Sequence, residues 1–272
     1  MGDIVCKYVD VAEGQLHIRM TQPVNGRTAT PLPLVLLHQT ASSSAMFMRL
    51  MQELGDATWL IAPDTPGFGN SFAPTKPHSI AIYAQAIVNG LGELGVQHCY
   101  LFGHHTGAAI ATQIATDNPQ MVQRLVLCGP PLLSAEQITA LRQKLLPIQP
   151  NDDGRFLIAT WNRLRQKSPD LPLDILYREL VLTLQAGESY PEAYTAVFNH
   201  PFASQLTRIS CPTLLLAGEQ DSLRTSLETT AAHLSNARIH TIPDADSYIC
   251  DTHAAELAEL LSDFLEIRRL GD

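Results

Sequence analysis

Six short, almost unbroken apolar runs constrain what this chain can fold into. They are Leu34-Val35-Leu36-Leu37, Trp59-Leu60-Ile61-Ala62, Cys99-Tyr100-Leu101-Phe102, Leu125-Val126-Leu127-Cys128, Leu214-Leu215-Leu216-Ala217 and Arg238-Ile239-His240-Thr241-Ile242. A strand with one wet face alternates apolar and polar residues, whereas a strand covered on both faces does not, so these runs predict a parallel sheet. Helical spacing of apolar residues over about 43–54, 79–94, 107–118, 223–234 and 253–267 separates them, which predicts a doubly wound α/β arrangement. From Val5 to Met20 the pattern alternates around Ala12-Glu13-Gly14-Gln15, as an antiparallel hairpin at a sheet edge would, bringing the expected sheet to eight strands.

The rhythm fails once. Residues 131–208 offer helices and no clear strand, with Ser134-Ala135-Glu136-Gln137 spelling a capping box and Ser189-Tyr190-Pro191-Glu192 a second helix start. The expected organisation is therefore a core domain from 1–130 and 209–272, with 131–208 inserted as a helical lid. Apolar residues make up 45 % of the 272 and charged residues 17 %, which excludes disordered and fibrous classes. The net charge of −9 argues against nucleic acid and anionic membrane as partners. No run approaches the roughly 18 apolar residues of a membrane span, and the first residues lack the apolar centre of a signal peptide. A cytoplasmic monomer or homodimer handling a small molecule is expected. The five cysteines lack paired spacing and read as free thiols.

Gly103-His104-His105-Thr106-Gly107 lies directly after one predicted strand and before a helix rich in alanine. That is the context of the G-x-S-x-G nucleophile elbow, where the chain turns too tightly for a Cβ at the glycines. Four more blocks follow the same scheme: Leu36-Leu37-His38-Gln39-Thr40; Ala62-Pro63-Asp64-Thr65-Pro66-Gly67-Phe68-Gly69-Asn70-Ser71; the strand Pro212–Asp221; and Ile242-Pro243-Asp244-Ala245-Asp246-Ser247 with the helix after it. With these five blocks in order, nearly the whole chain resembles the α/β-hydrolase fold superfamily. The resemblance implies a hydrolase most broadly, and the superfamily also holds carbon–carbon lyases, cofactor-free oxygenases and small-molecule receptors. It implies no cofactor.

The chain departs from the family pattern where the chemistry sits. His105 stands at the nucleophile position, where the family carries Ser, Asp or Cys, and Ser247 stands where it carries the His base. Asp221 keeps the position of the acid. Serine chemistry in its usual form needs a hydroxyl at the elbow tip, so His105 is instead expected as the main acid–base residue, oriented by Asp221 or Ser247. A reversed pair, with Ser247 attacking and His105 as base, is the weaker alternative. The resemblance also implies an oxyanion hole from the N–H groups of Thr106 and of Gln39 or Thr40. His38 reads first as a buried scaffold residue and His104 as packing; His38, Trp161, Tyr177 and Tyr248 are candidate pocket residues. The predicted pocket beneath the lid is apolar and suits an uncharged or weakly anionic molecule. Adjacent histidines with no carboxylate or cysteine at a ligand spacing predict no metal site. Two classes of function remain, an enzyme acting on a carbonyl-containing small molecule and a ligand-binding protein that has kept the pocket and lost the chemistry.

Overall fold

A computed structural model describes residues 3–21, 32–55, 57–75, 77–145 and 148–267. In chain order its elements are β1 (Ile4–Val11), β2 (Gly14–Thr21), β3 (Leu34–Leu37), α1 (Met48–Leu54), β4 (Leu60–Pro63), α2 (Ile80–Glu93), β5 (Cys99–His104), α3 (Thr106–Asp117) and β6 (Val122–Cys128). Five helices come next, α4 (Ala135–Lys144), α5 (Arg155–Lys167), α6 (Leu173–Ala186), α7 (Ser189–Phe198) and α8 (Phe202–Leu206). The chain then returns to the sheet with β7 (Thr213–Gly218), α9 (Leu227–Ala231), β8 (Ala237–Ile242), α10 (Ile249–Thr252) and α11 (Ala254–Leu265).

The eight strands form one sheet in the order β1-β2-β4-β3-β5-β6-β7-β8. The β1–β2 hairpin and the β2–β4 contact are antiparallel, and all other pairs are parallel. This is the expected fold class. Strand periodicity divides the apolar runs between two faces. Leu34, Leu36, Phe102, Val126, Leu214 and Leu216 face a core that includes α1 and α11 residues. Val35, Leu37, Leu101, Leu125 and Leu127 face the core beneath α2 and α3. All four residues of β3 are inaccessible to solvent, and burying each such side chain contributes on the order of 1.5–3 kcal/mol.

Elements differ from the sequence expectation mainly at their ends. β5 runs two residues past Phe102, because Gly103 and His104 still pair with Leu127 and Cys128. The helix expected over 223–234 is broken into a 3-10 turn at Arg224–Ser226 and the short α9. Asp221 Oδ1 accepts the Leu223 N–H at 2.8 Å, and the Ser226 hydroxyl contacts the carbonyls of Pro130 and Leu223, so side chains hold this stretch in tight turns. The Ser134 capping box forms as read, with both reciprocal bonds to Gln137 present. Ser189 is the first residue of α7 rather than its cap, since Glu188 occupies the cap position and makes no side-chain capping bond to the helix. All five cysteines are free.

Candidate active site

The loops at the carboxyl ends of the parallel strands are fixed by a buried carboxylate. Asp64, 1 % exposed, accepts from His17 Nδ1 at 2.8 Å and from the N–H groups of Ser44 and Asn70 at 2.7 and 2.9 Å. Burial works against its ionisation, but the His17 bond, the neighbouring His38 and the two N–H donors outweigh that and hold its pKa at about 2. Ser71 adds a bond from its hydroxyl to the Asp64 carbonyl at 2.7 Å. His38 is equally committed. Its Nε2 accepts from Thr65 N–H at 2.8 Å, which leaves Nδ1 to donate to the Gln39 carbonyl at 2.9 Å. Burial pushes its pKa down, so it is a neutral pin between two loops. His38 therefore does not line the pocket, contrary to one sequence expectation.

At the end of β5 the backbone turns through His105 at φ 49°, ψ −108° before α3 begins. A non-glycine residue there costs on the order of 1–3 kcal/mol and persists only where its surroundings enforce it. The surroundings do so by close approach: a Cβ on Gly103 would lie 2.3 Å from the Gly107 carbonyl oxygen, and one on Gly107 would lie 2.1 Å from that of Leu37. Main-chain bonding adds to it, since His105 N–H donates to the Cys128 carbonyl at 2.8 Å.

The His105 imidazole reaches Asp221, with Nε2 2.7 Å from Oδ2. The Asp221 side chain is fully buried, while that of His105 is 13 % exposed. Burial alone would raise the pKa of Asp221, but the His105 ring beside it, that hydrogen bond, His104 and the Leu223 N–H hold it well below the usual carboxylate range. An ionised carboxylate only accepts, so His105 must carry its proton on Nε2, which leaves the Nδ1 lone pair free in the neutral ring. Gly129, at φ +56°, lies against the pair: a Cβ there would come within 2.3 Å of His105 Cδ2 and 2.5 Å of Nε2. Sequence reading passed over Gly129, whose only signal is its place directly after a strand next to the elbow strand.

Of the two orienting groups considered for His105, Asp221 makes the contact. Ser247 is buried at 3 %, and among the described residues no hydrogen bond joins it to His105. Its loop is nevertheless pinned to the β7 end, with Gln220 N–H on the Ala245 carbonyl at 2.8 Å. Thr106 opens α3, so its N–H has no intrahelical acceptor. Its hydroxyl lies 2.8 Å from that of Thr40, which ties the Gln39–Thr40 loop to the elbow. His104 is fully buried with both ring nitrogens unpartnered, its ring centroid 4.6 Å from that of His105, and burial pushes its pKa well down.

One nitrogen from each of His104 and His105 and one Asp221 oxygen lie within 4.8 Å of one another, so the fold supplies a carboxylate 116 positions away that no local spacing revealed. A cation held by all three would break the His105–Asp221 bond, and the imidazole–carboxylate pair is the arrangement the geometry fits.

Over the elbow loops, helices α5, α6 and α7 enclose a cavity of about 80 Å³ together with Gln39–Ala41 and Tyr248. The expectation of an apolar pocket is wrong here: Arg163, Lys167, Glu179, Tyr190 and Tyr194 line it. Tyr248, one of the candidate pocket residues, also lines this cavity. Trp161 instead packs on the apolar cluster of Leu164, Leu171, Ile175 and Leu176, and Tyr177 faces solvent at 63 % exposure. The cations were passed over because a charge on an amphipathic helix ordinarily marks its wet face.

The sequence profile of the α/β hydrolase fold family matches residues 33–254, and the chain belongs to that family. It is 28 % identical over 251 residues to a 2-hydroxymuconate semialdehyde hydrolase of Pseudomonas sp. (strain CF600), covering 86 % of each chain. A 2-hydroxy-6-oxononadienedioate/2-hydroxy-6-oxononatrienedioate hydrolase of Pseudomonas sp. is 30 % identical over 129 residues, a match that spans 45 % of this chain and 44 % of that protein. Among solved structures, the enol-lactonase from Burkholderia xenovorans LB400 shares the fold with a TM-score of 0.75 at 19 % identity, over 96 % of this chain and 100 % of that one.

Proposed function

We propose that the chain hydrolyses a small carbonyl-containing organic molecule at the elbow, with His105 as general base and then general acid. The observation that carries this reading is the His105 Nε2 contact with the buried, ionised Asp221 at 2.7 Å, which leaves Nδ1 as a base. In the step envisaged, Nδ1 takes a proton from water as the water oxygen bonds to the carbonyl carbon. The carbonyl oxygen becomes an oxyanion at the N–H groups of Thr106 and of Gln39 or Thr40. The imidazolium, balanced by Asp221, then returns the proton to the leaving group as its bond to carbon breaks, so the reaction consumes one water and leaves the enzyme unchanged. The helices between β6 and β7 act as the lid that covers the reaction. The names of the Pseudomonas and Burkholderia relatives, all carbonyl compounds or lactones, support the substrate class.

A panel of phenyl esters, lactones and 2-hydroxymuconate semialdehyde tests this. Turnover of at least one of them is expected, with Ser247→Ala retaining it and a fluorophosphonate probe labelling no serine. Labelling at Ser247, together with loss of turnover in Ser247→Ala, would replace this mechanism with the reversed pair. The absence of a hydroxyl at the elbow favours a second reading, a ligand-binding protein without turnover; binding of a panel compound with no conversion at any pH would establish it.

A further inference from the structure

The cavity over the elbow is lined by two cationic side chains, half-buried Arg163 and the more exposed Lys167, and Asp221, Glu179 and Asp246 are near enough for their charges to act on Lys167. The two cations lie one helical turn apart on α5, where like charges repel. Among the described residues neither makes an ion pair, and Arg163 Nη2 is buried with no hydrogen-bond partner. The neighbouring carboxylates are already engaged. Glu179 accepts from Ser42 Oγ at 3.0 Å and Arg178 Nε at 2.9 Å, Asp221 holds His105, and Asp246 accepts the Tyr248 N–H at 2.7 Å. Aromatic rings hold the two cations in place instead, with the Arg163 guanidinium 4.8 Å from the Tyr190 centroid and Lys167 Nζ 5.5 Å from that of Tyr248. A buried guanidinium N–H without an acceptor is costly unless a ligand supplies one.

We infer that Arg163 and Lys167 form a carboxylate-binding subsite, so that the molecule processed at the elbow carries a carboxylate besides its reactive carbonyl. The planar guanidinium matches a carboxylate, and a cavity of about 80 Å³ suits that small group better than a phosphate ester. The cavity adjoins the reaction centre through Thr40, whose hydroxyl meets that of Thr106 beside His105. The subsite rests on the reading of His105 as the reacting residue, yet its binding is measurable apart from turnover.

Calorimetric titration of the full chain with succinate, dimethyl succinate and inorganic phosphate, at low and moderate salt, makes that measurement. Succinate is expected to bind at least about tenfold more tightly than its dimethyl ester and than phosphate. Arg163→Gln is expected to remove that preference, Arg163→Lys to restore part of it, and Lys167→Gln to weaken succinate several-fold. His105→Ala is expected to bind succinate as the wild type does. Equal binding of succinate and its dimethyl ester, or tighter binding of phosphate, would overturn the subsite. Should Arg163→Gln fail to fold, Lys167→Gln and the wild-type ester comparison decide alone. Failure of the elbow reading would show differently, as succinate binding kept while turnover of neutral phenyl acetate ignores His105→Ala.

Discussion

At the scale of single residues, the site depends on where the elbow imidazole points. A serine at this position would end one bond beyond Cβ, whereas the histidine ring is long enough to meet Asp221 directly. Asp221→Asn replaces an acceptor with a group that can donate, allowing the wrong tautomer, and is expected to lower kcat/KM by about 10²–10⁴ while leaving the fold intact. Gly129→Ala would place a methyl group 2.3 Å from His105 Cδ2, so the ring must move. It should cost about 1 kcal/mol of stability through its positive φ and lower kcat/KM by more than about tenfold, as read by thermal melting and steady-state kinetics. The sequence placed both Asp221 and Ser247 beside His105 but left open which of them meets the ring, because Asp221 is 116 positions from His105 and the choice depends on how the β5 and β7 ends sit across the folded sheet.

At the scale of elements, the legible parts were those set by local chemistry. Strand β3 and the Leu125–Cys128 end of β6 are apolar on both faces, and their runs announce it; the capping box at Ser134 is a spacing rule that the backbone obeys. Ser134→Ala should cost about 1 kcal/mol in denaturant unfolding if α4 unfolds with the rest. The break between Arg224 and α9 was not legible, since it arises from bonds of Ser226 to Pro130, a residue far away in sequence. The loop after β4 makes a pH prediction. Asp64 is held at about 2 against an ordinary value of 3.8, so its contribution is complete above pH 3.8 and is lost as pH falls toward 2. That shift corresponds to about 2 kcal/mol, so Asp64→Asn should flatten the acid limb of stability plotted against pH.

At the scale of the molecule, a sheet buried on both faces forms the floor, and helices α5, α6 and α7 roof a cavity into which Arg163, Lys167 and Glu179 face. The floor was read correctly because parallel strands and the elbow have strong patterns. The roof was read as apolar because helix periodicity does not show which polar residues turn inward over another segment. Together they define a small, partly cationic chamber above an imidazole–carboxylate pair. The claim that this pair performs chemistry is tested most directly by kcat/KM of wild type and His105→Ala on the same small ester or lactone, corrected for the uncatalysed rate. A fall of at least about 100-fold is expected from loss of the acid–base group; equal values for the two proteins would contradict the account.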